Sequence, residues 1–435
     1  MKNILSVFSL REAFHSLLSR PRANYHCLDG LRAMAVLWVI VLHVGMFGVI
    51  GNVDAGGRLL IESAPFLLGW IYNGNYGVDV FFVLSGFLIA SIIFKEIDAS
   101  ADIHFVRFYM RRILRLSPAL IVLAILSYST NLYYHGNLWY NVFYVSNFFP
   151  ILDISIPWTW SLAIEEQFYL LFPLVALLVK KRKLAIFIGL FLFAIGIRLY
   201  IVLDHPDLLI QANQWLPPND FNRPYFSELY VGLHVRFGAL VCGVIALLLY
   251  RYHRHAVEKF FNCNSGKMVM FVLLAAFGFI AVINLNRSEV ILSNIELYLY
   301  HVLSSYILSL SVAATMLAML VGTAYLRPLQ VFLSLKIWYP IAQLAYGLYL
   351  FHFFALSFSR YLFENILMAR NETFNLYNHF HMLSILLLTL VGSAIIAGLV
   401  YVTVERPFMN LRDKLPVSSS RPPVIGGREQ TQASV

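Results

Sequence analysis

Arg32 and His43 stand eleven residues apart in LDGLRAMAVLWVIVLH, an otherwise apolar run. At about 3.6 residues per turn this spacing is close to three turns. Both side chains therefore lie on one helix face, roughly 16 Å apart along the axis. An imidazole in such a helix can serve as general base toward a hydroxyl if a neighbour fixes its tautomer. Taken alone, His43 is as readily a hydrogen-bonded packing residue, and Arg32 a snorkelling anchor. Asp29, three residues before Arg32, is within ion-pair reach if the helix starts early.

Other polar groups in apolar runs shift that balance, because ionisable residues in a membrane are costly. NYGVDVFFVLSGFLIASIIF carries Asp79, a structural acid or a histidine-orienting one, and Ser85 beside Gly86, where close helix approach is explanation enough. WTWSLAIEEQFYLLFP carries Glu165 and Glu166. Ser161, Glu165 and Tyr169 share one face, and Glu166 points about 100° away, so the two acids are expected to meet different partners. Trp158 and Trp160 suit a membrane interface. AYGLYLFHF places Tyr349 and His352 in a late run, where His352 alone reads as structural. HFVRFYMRRILRLSP repeats Arg107, Arg111 and Arg115 every four residues, with Arg112 one turn before Arg115. Positive-inside anchoring explains their charge, while guanidinium groups at helical spacing also suit phosphate binding. No zinc, redox, Walker or Rossmann motif occurs, so no metal site is expected.

Only a membrane bundle can position these groups. The 435-residue chain is 60% hydrophobic and 13% charged, with strongly positive mean hydropathy. A soluble domain of this length could not bury so much apolar surface. A bilayer core leaves backbone groups no water, so apolar runs of about 20 residues must be helices. We expect an all-α polytopic membrane bundle of about ten transmembrane helices. The runs lie at 32–50, 76–94, 116–135, 158–179, 184–203, 229–250, 267–285, 297–325, 335–357 and 381–404. Segment 136–157, apolar but broken by Pro150, is expected to be interfacial or re-entrant, and a split of 297–325 stays open.

With the N-terminus in the cytoplasm, inner segments hold roughly 24 basic residues against roughly 5 outside, which places both termini in the cytoplasm. Arg327 and Lys336 belong to the inner set. This bias accounts for the net charge of +9 without nucleic acid. Residues 1–27 are expected to form a cytoplasmic segment with no cleavable signal, either an amphipathic interfacial helix or a plain flexible tail. Residues 28–410 form the membrane domain, and 411–435 a disordered cytoplasmic tail. Cys27, Cys242 and Cys263 show no paired spacing, so neither a disulfide nor a zinc site is expected. In this orientation His43, Asp79, Glu165, Glu166 and His352 all fall in the outer half. Two function classes fit: group transfer from a phosphate-bearing donor with His43 as base, or a proton-coupled secondary transporter using the cluster as a relay. The clear internal repeats and broken helices frequent in transporters are not found.

LDGLRAMAVLWVIVLH, GVDVFFVLSGFLI, FYMRRILRLSP, WTWSLAIEEQFYLLFP, YGLYLFH and VERPF follow one another between residues 28 and 408. Together they resemble the acyltransferase 3 family of integral membrane acyltransferases. The resemblance implies transfer of an acyl group, most often acetyl from acetyl-CoA, to hydroxyls of cell-envelope glycans or other extracytoplasmic sugars. It implies a multi-pass protein of the bacterial inner membrane, with acyl-CoA as co-substrate and no tightly bound cofactor. The family's Arg–x10–His pair falls on Arg32 and His43, its RxxR element on Arg112 and Arg115 beside Arg111, and its Trp-Ser-Leu-x-x-Glu segment on Trp160, Ser161, Leu162 and Glu165. On this reading His43 is base or transient acyl carrier, with Arg32, Asp29 and Glu165 assisting it. Arg111, Arg112 and Arg115 hold the donor, while Asp79, Ser85, Trp160, Ser161, Glu166, Tyr349 and His352 support the site. Some relatives append an extracytoplasmic SGNH hydrolase-like domain. This chain is expected to lack one, and so to acylate the acceptor itself or hand over to a separate protein.

Overall fold

The computed structural model describes residues 9–21, 25–50, 66–130, 136–179, 183–206, 226–283, 294–373 and 379–413. Among these residues ten helices are long and apolar enough to cross a membrane, and no strand occurs. Apolar side chains run all round most of them, which suits elements facing lipid or protein on every side. Leu192, Phe193, Phe271 and Leu399 are exposed, while Phe82, Phe87 and Phe351 are fully buried.

Helix α1 (Leu10–Leu18) is capped by Ser9, whose hydroxyl accepts from the Glu12 N–H at 3.3 Å. It buries Ala13 and Leu17 and exposes Leu10, Phe14 and Leu18, an amphipathic pattern suited to a membrane face. Residues 1–8 of the expected N-terminal helix lie outside the described residues, as does the expected tail from 414 onward.

The long helices are α2 (His26–Ile50), α3 (Tyr76–Ser100), α4 (Phe105–Thr130), α5 (Trp160–Leu178), α6 (Lys183–Asp204), α7 (Leu233–Tyr252), α8 (Asn264–Val282) and α9 (Asn294–Leu320). A short α10 (Arg327–Leu333) leads to α11 (Trp338–Ala369) and α12 (His379–Val400). A π-helical turn at Tyr401–Glu405 joins α12 to α13 (Arg406–Asp413). Three boundaries differ instructively from the apolar runs. Helix α2 starts early enough to carry Asp29 and Arg32 in its first turns. The Arg stripe and the following span are one helix, α4. The 297–325 run is unsplit as far as Leu320. Segment 136–157 does not span: it forms a short helix, Leu138–Val142, and 3-10 turns. Asn141 pins it, donating to the Ile156 carbonyl at 2.9 Å and to Thr159 Oγ1 at 2.8 Å.

Helices α3 and α7 cross at the centre, where Gly86 meets the Leu240 carbonyl and Gly243 meets the Val83 carbonyl. Neither position has room for a Cβ, so small residues set this close approach. Ser16 of α1 lies 3.2 Å from the Tyr401 hydroxyl, and Tyr339 donates to the Ser16 carbonyl at 3.1 Å. Helix α1 thus sits against the π turn that leads into the last described helix, and this marks one end of the bundle, the terminal end. The opposite, far end is where α2 finishes and α3 begins.

Candidate active site

Helices α2 and α11 bring two histidines together from positions 309 residues apart. His352 Nε2 is 2.9 Å from His43 Nδ1, and His352 Nδ1 is 2.7 Å from the Tyr349 carbonyl oxygen. A carbonyl only accepts, so His352 Nδ1 carries a proton. In a neutral ring its Nε2 is then an acceptor, and His43 Nδ1 is the donor to it. This leaves His43 Nε2 with a free lone pair. The chain of bonds fixes the tautomer a general base needs. His43 is partly accessible, whereas His352 is fully buried.

Aromatic packing and a hydroxyl network hold this pair. Phe353 lies 4.6 Å from the His43 ring and stacks on Trp158 at 4.3 Å between centroids. Trp158 donates its indole N–H to the Leu350 carbonyl at 3.1 Å. The Tyr349 hydroxyl donates to the Trp158 carbonyl, so Ser161 Oγ, 2.7 Å away, donates to Tyr349. Tyr349 and Ser161 thereby set the position of the carbonyl that fixes His352.

A second polar group occupies the same bundle nearer the terminal end. Glu165 accepts from Ser85 at 2.8 Å and from Tyr169 at 3.0 Å. Arg32 faces the charges of Arg115, Asp29 and Glu165. Arg112 lies over Tyr169, 5.3 Å from its centroid, and faces Glu166. Arg32, Ser85, Glu165, Glu166 and Arg112 are all partly accessible among buried apolar neighbours. They form a polar cluster that gathers side chains from α2, α3, α4 and α5.

Several expected contacts are redrawn. Asp29 pairs with Arg20 at 2.8 Å rather than with Arg32. Arg20 also donates to the carbonyls of His26 and Ser334, so it competes for the carboxylate from a fixed position. Glu165 orients toward Ser85 and Tyr169, not toward His43. Asp79 is fully buried and takes Arg236, whose Nη1 reaches both carboxylate oxygens at 3.0 and 3.1 Å. Trp160 lies beneath that guanidinium at 5.4 Å. Arg111 is exposed, and Arg107 is tied to Glu96 at 2.6 Å, so the stripe of arginines does not act as one surface.

Three contributing residues stand outside the expected set. Arg236 and Arg198 are buried arginines in apolar spans, a signal the sequence carried. Glu405, from VERPF, sits on the π turn and is buried. Its Oε1 has no hydrogen-bond partner, lies against Gly347, and the carboxylate faces Arg115. π turns frequently mark functional positions. Among the described residues no cluster of His, Cys, Asp and Glu could hold a metal.

The chain is 29% identical over 361 residues to a Staphylococcus aureus (strain COL) protein provisionally named an O-acetyltransferase, covering 76% of this chain and 50% of that protein. It is 28% identical over 347 residues to O-acetyltransferase OatA of Staphylococcus aureus (strain NCTC 8325 / PS 47), covering 75% of this chain and 49% of OatA. The chain therefore spans about half the length of the curated relatives it matches. No solved structure matches it. The family described as an acyltransferase domain matches residues 25–399, which include both histidines and every residue of the polar cluster. The chain belongs to this acyltransferase 3 family of membrane proteins.

Proposed function

We propose that the chain is a membrane O-acyltransferase of the bacterial inner membrane. It moves an acetyl group from acetyl-CoA to a hydroxyl of a cell-envelope glycan or another extracytoplasmic sugar. The terminal end is the cytoplasmic, donor side, and the far end receives the acceptor. The observation that carries this reading is the free Nε2 of His43, on the same face of α2 as Arg32 and about 16 Å further along it. Arg112, Arg115 and Arg32 suit the donor's phosphates, since guanidinium–phosphate bonds are charge-assisted.

In the transfer, the acceptor hydroxyl gives its proton to His43 Nε2 as its oxygen attacks the thioester carbonyl. A C–O bond forms and the C–S bond breaks. The departing thiolate takes the proton back from the imidazolium and leaves as a thiol. Throughout, His43 Nδ1 keeps its bond to His352, so the ring neither turns nor changes tautomer. In a two-step route the same Nε2 would carry the acyl group.

Mass spectrometry of envelope glycans tests the activity. Cells expressing the chain are expected to gain O-acetyl esters that are absent without it. The Arg112→Ala plus Arg115→Ala variant is expected to lose most of them through weaker acetyl-CoA binding, by about tenfold or more. Glycans identical in all three strains would defeat the reading.

A further inference from the structure

A separate cavity of about 600 Å³ opens at the terminal end, between α9 and α11. Its walls come from Gly322, the α10 residues Gln330 and Val331, and the linker residues Ser334 and Leu335. Arg327, the first residue of α10, and Lys336, three residues past its end, line it, and no carboxylate does. Both cations are exposed, and neither has an ion-pair partner among the described residues. The sequence explains them as topology signals only, yet the fold brings them to one concavity.

A left-handed turn and local hydrogen bonds shape the walls. Gly322 turns the chain at φ +83°, a left-handed conformation that suits glycine. Gln330 donates to the Met319 carbonyl at 3.1 Å, and Trp338 donates to the Phe332 carbonyl at 2.9 Å. The cavity is also tied to the polar cluster. Arg20 donates to the Ser334 carbonyl at 2.6 Å and holds Asp29, one turn from Arg32. Leu333 presses on Gly30 of α2 so closely that no Cβ would fit between them. A ligand seated here lies at the root of the helix that carries Arg32 and His43.

We propose that this cavity binds the phosphorylated nucleotide end of the acyl donor, with Arg327 and Lys336 as its phosphate ligands and Val331 and Leu335 as its apolar wall. The proposal rests on the acyltransferase reading and adds a donor subsite distinct from Arg112 and Arg115. A concavity with two cations and no carboxylate suits a dianionic phosphate. Lys336 serves as a point charge, while Arg327 can bond two oxygens at once.

The test uses the full chain in nanodiscs of neutral phosphatidylcholine, titrated calorimetrically with adenosine 3′,5′-bisphosphate and, separately, with acetyl-CoA. Arg327→Gln plus Lys336→Gln is expected to weaken both by at least about tenfold. Added salt should weaken binding more in the wild type than in the variant. Both positions are on the surface, and Arg327→Lys, which keeps the charge but loses the paired bonds, should bind with an affinity between those of the wild type and the double variant. Unchanged nucleotide affinity in the double variant would overturn the proposal. So would a variant that keeps nucleotide but loses phosphatidylglycerol retained from mixed nanodiscs, since the cavity would then be a lipid headgroup site. Failure of the parent reading looks different: the wild-type protein would bind no acetyl-CoA at all.

Discussion

His43→Ala, held at normal membrane abundance, is expected to cut acetyl transfer on the order of 10²–10⁴-fold while leaving acetyl-CoA binding intact. That range is what a positioned general base contributes. The donor subsite is spared because its cations lie roughly three turns away along α2 and on other helices. The bond from His43 to His352 adds a second expectation. His352→Phe keeps an aromatic ring but removes the acceptor that selects the His43 tautomer. It should lower the turnover rate with little change in donor affinity, and by less than His43→Ala. Single-turnover assays on purified protein with labelled acetyl-CoA read both quantities. Undiminished transfer by His43→Ala would remove the histidine from the chemistry.

The second large effect concerns stability. Asp79→Leu is expected to destabilise the bundle by about 3–5 kcal/mol, because it leaves Arg236 buried without its carboxylate. Removing both partners, as Asp79→Leu with Arg236→Leu, should restore much of the loss, since apolar replacement of a buried pair is often neutral. Restoration should be incomplete. Arg236 also donates to the Tyr230 carbonyl at 2.7 Å, and Asp79 is the carboxylate that buried Arg198 faces. Thermal unfolding midpoints of the purified variants measure this. A single variant as stable as the wild type would assign Asp79 no structural role.

What could be read from the residues was periodicity and cost. Uninterrupted apolar runs mark the spans, and the eleven-residue interval puts Arg32 and His43 on one face of α2. The cost of polar groups in lipid singles out Asp79, Glu165, Glu166 and His352 without reference to their contacts. Pairings were not legible, because helices that are apolar all round carry no stripe to say which neighbour they meet. His43 meets His352 because α2 packs against α11, a tertiary choice no local spacing encodes. Asp29 illustrates the same limit: Arg32 is nearer along the helix, but Arg20, outside it, is the residue that reaches the carboxylate. Arg236 was visible as an arginine in an apolar span, yet only the crossing of α3 and α7 shows that it answers Asp79.

The acyl group is proposed to pass from the arginines of the terminal end to a hydroxyl presented near His43. Sided proteoliposomes test it most directly, with labelled acetyl-CoA confined to the compartment facing the terminal end and an oligosaccharide acceptor confined to the other. The expected result is labelled sugar in the acceptor compartment, with free coenzyme A appearing in the donor compartment. Labelled sugar that forms only when donor and acceptor share one side would contradict it.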